Sequence, residues 1–239
     1  MTDNINKDNI ERTKIQTWYQ ALFVIVYYIA YVAYLCVNQE NEFWHWLTMV
    51  LIPLFLAYLY NKLTLKTNSL FYLLKTFGIN RSVLKNKISI AVLLGLAFCL
   101  LQFFLSRNKN ELIQLAQSGK MFYLFPLSFL VMSVTAGFTE EFFFRGFLQT
   151  RISAAIQIPL LSILITSVLF SIYHLPYAYF NINWPSHGNF PAALETTFMQ
   201  AMPVGIIAGY LYHKSGNNLA ACVILHSFIN SLPAMLQIF

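Results

Sequence analysis

The chain has 239 residues and a formal net charge of +6; it is 58% hydrophobic, 17% aromatic and only 10% charged. Soluble domains carry about 25% charged residues, so the composition excludes an ordinary water-soluble globular protein and indicates a membrane protein. Cys36, Cys99 and Cys222 lie far apart in apolar stretches, which suggests small buried hydrophobes and neither a disulfide framework nor a thiolate metal site.

Residues 1–17 are polar with charges of both signs. The apolar run 18–37 is long enough to span a bilayer and too long for a signal-peptide core, and no small-residue cleavage site follows it, so it reads as a retained anchor. Further spans are expected at 43–60, 88–105, 126–150, 159–180, 195–212 and 219–239. The basic stretch 61–87 contains a lysine-flanked apolar segment, 69–78, too short to cross about 30 Å of hydrocarbon. It is expected to form a helix lying in the cytoplasmic interface. Segment 106–121 is polar and expected to be partly helical. Asn181, Asn183, Pro185, Gly188 and Pro191 make 181–191 a turn region, with Trp184 suited to a membrane interface and His187 to a solvated loop. Glu195 reads as an interfacial charge, and His45 as an interhelical contact.

Alternating the spans from a cytoplasmic N-terminus leaves twelve of the fifteen Lys and Arg residues inside, with Arg107, Lys109 and Lys120 outside. The positive charge therefore reports topology, and no nucleic-acid partner is implied. The expected fold is all-α: one integral membrane domain over 1–239, a polytopic bundle of about seven transmembrane helices plus the interfacial helix, with 1–17 cytoplasmic.

Within the span 126–150 stand two adjacent carboxylates, Glu140 and Glu141. A carboxylate in hydrocarbon costs roughly 2.5–3.5 kcal/mol even on translocon-insertion scales, so each needs a partner or a function. On an α-helix Glu141 shares a face with Arg145, four residues on, and can pair with it. Glu140 points about 100° away, and its partner is expected on another span. His174, on the same face as Phe170, and the pair His226 and Asn230 in the last span fall at similar depth. One carboxylate, two imidazoles and a carboxamide can activate a water and hold a developing oxyanion. The bland alternative is that the histidines and Asn230 cross-link helices.

Glu140-Glu141-x-x-x-Arg145, Phe170-x-x-x-His174 and His226-x-x-x-Asn230, in that order, resemble the three motifs of the CAAX protease and bacteriocin-processing family of intramembrane proteases, also called the Abi family. Gly205-x-x-x-Gly209, Tyr210 and Ser215-Gly216 resemble its C-terminal half, so the likeness covers 122–231. The resemblance implies a membrane helix bundle with endopeptidase activity. Glu140 would activate water with His174 assisting, His226 and Asn230 would bind the oxyanion, and Glu141 with Arg145 would support the first motif. It also leaves two chemistries open, metal-dependent and metal-free. Glu140, His174 and His226 could supply a Zn²⁺ site with an open position, although the H-E-x-x-H pattern is absent. Relatives trim prenylated C-termini or act in bacteriocin immunity, peptide maturation and surface display. The substrate expected here is a membrane-embedded peptide or small protein. The competing readings are a non-enzymatic immunity or scaffold protein and, with less support because no symmetric broken helices are visible, a proton-coupled transporter.

Overall fold

The computed structural model describes residues 2–38, 42–65, 69–79, 85–106 and 108–237, and every regular element among them is helical. The elements are α1 (Thr2–Leu35), α2 (42–65), α3 (Leu70–Thr76), α4 (Lys85–Leu105), α5 (Lys109–Gln117), α6 (Met121–Ile156), α7 (Pro159–Phe180), α8 (Phe190–Lys214) and α9 (Leu219–Gln237). Six contain stretches long and apolar enough to cross a membrane: α1 from Gln16, α2 from Phe43 to Thr64, α4, α6, α7 and α9. The seventh expected span, 195–212, lies in α8. That helix has the length, 25 residues, but Glu195, Thr196, Thr197 and Gln200 make its first half polar.

The expected interfacial helix is α3. It starts where Ser69 Oγ accepts from Tyr72 N at 3.2 Å, and it exposes Leu70, Phe71 and Tyr72. Segment 106–121 contains α5. Residues 238–239, and Lys66, Arg81 and Arg107 among the cations of the charge count, lie outside the described residues.

The chain divides into two compact units interleaved in sequence. One comprises Met1–Trp44 with Phe144–Tyr210, the other His45–Phe143 with Leu211–Phe239. In each, the burial pattern is that of a membrane protein. Leu93, Phe122 and Leu160 are exposed, while Ser167 and Ser171 in the first unit and Ser227 and Ser231 in the second are fully enclosed. Small residues and hydroxyls sit between helices because lipid offers apolar side chains nothing that another helix does not.

Two helices depart locally from α geometry. Helix α6 is continuous, without the break that Gly137 invites, but it widens to i→i+5 winding at Ser133–Gly137 and again at Phe142–Gln149. Between these lies a four-residue α turn, Phe138–Glu141, which carries both glutamates. Hydroxyls add a second donor around the change of winding: Ser133 Oγ donates to Phe129 O at 2.6 Å, and Thr135 Oγ1 to Val131 O at 2.9 Å. Thr139 Oγ1 donates to Thr135 O.

The second departure is Pro233 inside α9, which has no N–H for the carbonyl of Ile229 four residues earlier. Helix α4, packed along α9, supplies two side-chain donors here, one of them to that carbonyl. Gln102 Nε2 donates to Ile229 O at 2.9 Å, and Cys99 Sγ donates to Phe228 O at 3.3 Å. In hydrocarbon an orphaned carbonyl has no water to fall back on, so this donor matters more than it would in a soluble helix. Gln102→Leu is expected to destabilise the protein by about 1–3 kcal/mol, the cost of a buried polar group left unsatisfied. Adding Pro233→Ala, which restores the backbone donor, should recover part of that loss in an unfolding titration in detergent.

Candidate active site

The two glutamates are placed by the short α turn of α6, and the histidine that meets them by the middle of α9. Gly137 lets these helices come together: a Cβ there would lie 2.6 Å from Ser227 Oγ and 3.2 Å from Val223 O. At that separation His226 reaches across to both carboxylates. Its Nδ1 hydrogen-bonds Glu141 Oε1 at 2.8 Å, and its Nε2 lies 3.6 Å from Glu140 Oε2. An ionised carboxylate can only accept, so the shorter contact puts a proton on Nδ1 and turns Nε2 toward Glu140. Burial is near-complete: Glu141 is 0% exposed, His226 3% and Glu140 7%. Asn230, one turn further along α9, is half-buried, and its side chain makes no hydrogen bond among the described residues.

The helical register predicts that Glu141 is neutralised on its own helix and that Glu140 alone seeks a partner elsewhere. Both glutamates address the His226 imidazole on α9, and Glu141 holds the closer contact. Helical register on α6 carries no information about what α9 brings opposite.

Arg145 and His174 belong to the first unit. Arg145 is fully enclosed; its Nη1 lies 3.4 Å from Gln149 Oε1, and its guanidinium carbon sits 5.5 Å from the centre of the Phe170 ring. Gln149 Nε2 donates in turn to Gly209 O at 3.0 Å. A Cβ on Gly209 would come within 2.9 Å of Gln149 Oε1 and 3.2 Å of Arg145 Nη1, which explains the second glycine of the Gly205/Gly209 pair. Gln149 is absent from the sequence-based candidates, although its i+4 spacing from Arg145 is the signal that could have found it.

His174 is half-buried on α7. Its Nδ1 donates to Phe170 O at 2.8 Å, which puts the lone pair of the neutral ring on Nε2. Phe170 and Tyr173 meet the imidazole edge-on at 4.6 and 4.9 Å, and both pack on Phe144. Tyr31 of α1 stacks on Tyr173 at 5.9 Å. His45 begins the second unit on α2, and His187 and Glu195 are exposed.

A zinc centre takes three or four N, O or S ligands at about 2.0–2.3 Å. Among the described residues no group of three His, Cys, Asp or Glu side chains is arranged to hold a metal ion. Nδ1 of His226 is engaged by Glu141, which leaves Nε2 as the nitrogen that faces Glu140.

Residues 122–232 match the family model described as type II CAAX prenyl endopeptidase Rce1-like. The match spans nearly half of the chain and takes in all three motifs. No curated protein and no solved structure matches the chain.

The Glu141–His226 contact has a measurable consequence. In a double-mutant cycle of Glu141→Ala and His226→Ala, read by chemical unfolding, the coupling is expected to be about 1.5–3 kcal/mol, as for a buried hydrogen bond to a charged group. Each single change alone should cost more, because it leaves the other group buried without this partner.

Proposed function

Residues 122–232 belong to the type II CAAX prenyl endopeptidase, Rce1-like, family, and on that premise we propose that this multi-pass membrane protein is an intramembrane endopeptidase acting on membrane-associated peptides or proteins. The observation that supports it best is the enclosed cluster of two carboxylates and one imidazole inside the matched segment. Six helices among the described residues are long and apolar enough to cross a membrane, which suits a substrate delivered by the bilayer.

In the proposed reaction Glu140 takes a proton from water as the oxygen attacks the scissile carbonyl carbon. His174 assists through Nε2, the nitrogen left as acceptor once Nδ1 is committed to Phe170 O. The oxyanion that develops is held by the N–H of the Asn230 carboxamide and by Nε2–H of His226 in its imidazolium form, and the proton on Glu140 then passes to the leaving amine as the C–N bond breaks. Glu141 holds the His226 ring in orientation through Nδ1, as a carboxylate commonly does for a catalytic imidazole. Arg145, linked to Gln149 and through it to the α8 backbone, stiffens the first motif. The N-terminus is assigned to the cytoplasm on the distribution of basic residues.

Purified protein tested against a peptide library in detergent or nanodiscs is expected to lose about 10²–10⁴-fold in kcat on Glu140→Gln, which keeps the shape but removes the base. His174→Ala should fall in the same range. Full turnover by Glu140→Gln would sink the mechanism, and survival of the biological role in both variants would favour a scaffold. Chelator treatment followed by metal analysis is expected to leave activity intact. Loss restored by Zn²⁺ would instead make Glu140, His174 and His226 metal ligands.

A further inference from the structure

The elbow after α3 holds both helices that carry the glutamate–histidine cluster. Helix α3 ends at Thr76, and its last carbonyls are closed by Gly78 N on Lys75 O at 3.0 Å and Ile79 N on Leu74 O at 3.0 Å. Gly78 has φ +81°, the left-handed conformation that ends helices, and it lies against the turn before α9. A Cβ there would meet Asn217 O at 2.7 Å and the Tyr212 ring at 2.9 Å. Gly78 O accepts from Leu219 N at 3.1 Å and so caps the first N–H of α9, seven residues before His226.

The neighbouring side chain grips the other helix. Phe77 is fully enclosed and lies flat on Phe142, with ring centres 4.5 Å apart and planes 5° from parallel. Phe142 directly follows Glu141. It also packs on Phe138 at 5.7 Å, and Phe138 stacks on Trp46 at 5.5 Å. Phe138 and Phe142 bracket Glu140 and Glu141 in sequence, so this aromatic column backs the turn that carries them. Two consecutive residues therefore clamp α6 through a side chain and α9 through backbone. The separation of those helices is what sets the 2.8 Å contact between Glu141 and His226.

We propose that Phe77 is a positioning residue that fixes the Glu140–Glu141–His226 geometry through Phe142. Its catalytic consequence rests on the endopeptidase reading; its structural one does not. The residue lies outside the matched segment 122–232, on a stretch that composition alone marks as a membrane-surface anchor.

The test compares Phe77→Ala, Phe77→Leu and, as a control on the exposed face of α3, Phe71→Ala. All are reconstituted in nanodiscs with ¹⁵N-ring-labelled histidine, and the hydrogen-bonded Nδ1–H signal is assigned to His226 by its loss in Glu141→Ala. Phe77→Ala is expected to shift or broaden that signal and to lower kcat roughly ten- to a hundredfold, with KM unchanged, as a small misplacement of reacting groups does. Phe77→Leu should keep part of both, and Phe71→Ala all of both. A folded Phe77→Ala with wild-type signal and kcat overturns the proposal. If that variant does not fold, the same result in Phe77→Leu overturns it. If the wild type cleaves no peptide, the endopeptidase reading fails, and the histidine signal still decides the positioning role: a change supports it and no change overturns it.

Discussion

One imidazole set between two carboxylates is the constraint around which the second unit is built. Removing a carboxylate from water costs several kcal/mol even after relaxation, and here two adjacent ones are enclosed. Neither faces bulk water, and the His226 imidazole offers one nitrogen to each. That arrangement requires α6 and α9 to approach closely, which only a residue without a side chain permits at position 137, opposite Ser227. It also requires α9 to keep its course past Pro233, which depends on donors from α4. The close approach, the borrowed hydrogen bonds and the elbow at Phe77 and Gly78 serve the same short distance.

The wide winding on either side of the glutamate turn belongs to this account. Changing from i→i+4 to i→i+5 bonding and back re-aims the residues between, a device found mostly at functional sites. Side-chain donors accompany both changes of winding. Ser133, Thr135 and Thr139 serve the first junction, Thr150 Oγ1 donates to Arg145 O at 2.8 Å, and Arg151 Nη1 reaches Phe147 O at 3.3 Å at the end of the second. Thr and Ser are ordinary in membrane helices, so this role shows only once the winding is seen.

That point marks what was legible in advance. Span positions came from long apolar runs, the strongest signal a sequence offers, and α3 was visible as a lysine-flanked segment too short to cross. The motif residues stood out because charge in hydrocarbon is costly. Partner choice was not legible. Periodicity reports which side chains share a face of one helix, and so it left the approach of α9 unplaced. Gln149, Phe77 and Gln102 escaped because a single amide or an extra phenylalanine is unremarkable among 22 phenylalanines until its neighbour is known. Helix α8 is the converse case. Its length suits a span, yet its polar first half keeps it below the apolarity that the other six reach.

The groups assigned to chemistry all lie in 122–232, but the groups that hold them do not. Trp46 and Phe77 back the glutamate turn, Gln102 secures α9 beside Asn230, and Tyr31 stacks on the tyrosine that frames His174. Each comes from the first hundred or so residues, which resemble the family only in being apolar. A match confined to the reacting residues follows if the chemistry demands particular groups, whereas their support demands only shape and one well-placed donor. Aromatic stacking and a carbonyl acceptor can be met by many sequences, so the first helices are free to vary in identity while remaining bound by geometry. On this view the first half of the chain holds the geometry of the matched segment, and exchanging it for another apolar anchor of equal length would be expected to spare membrane insertion and lose the His226 geometry.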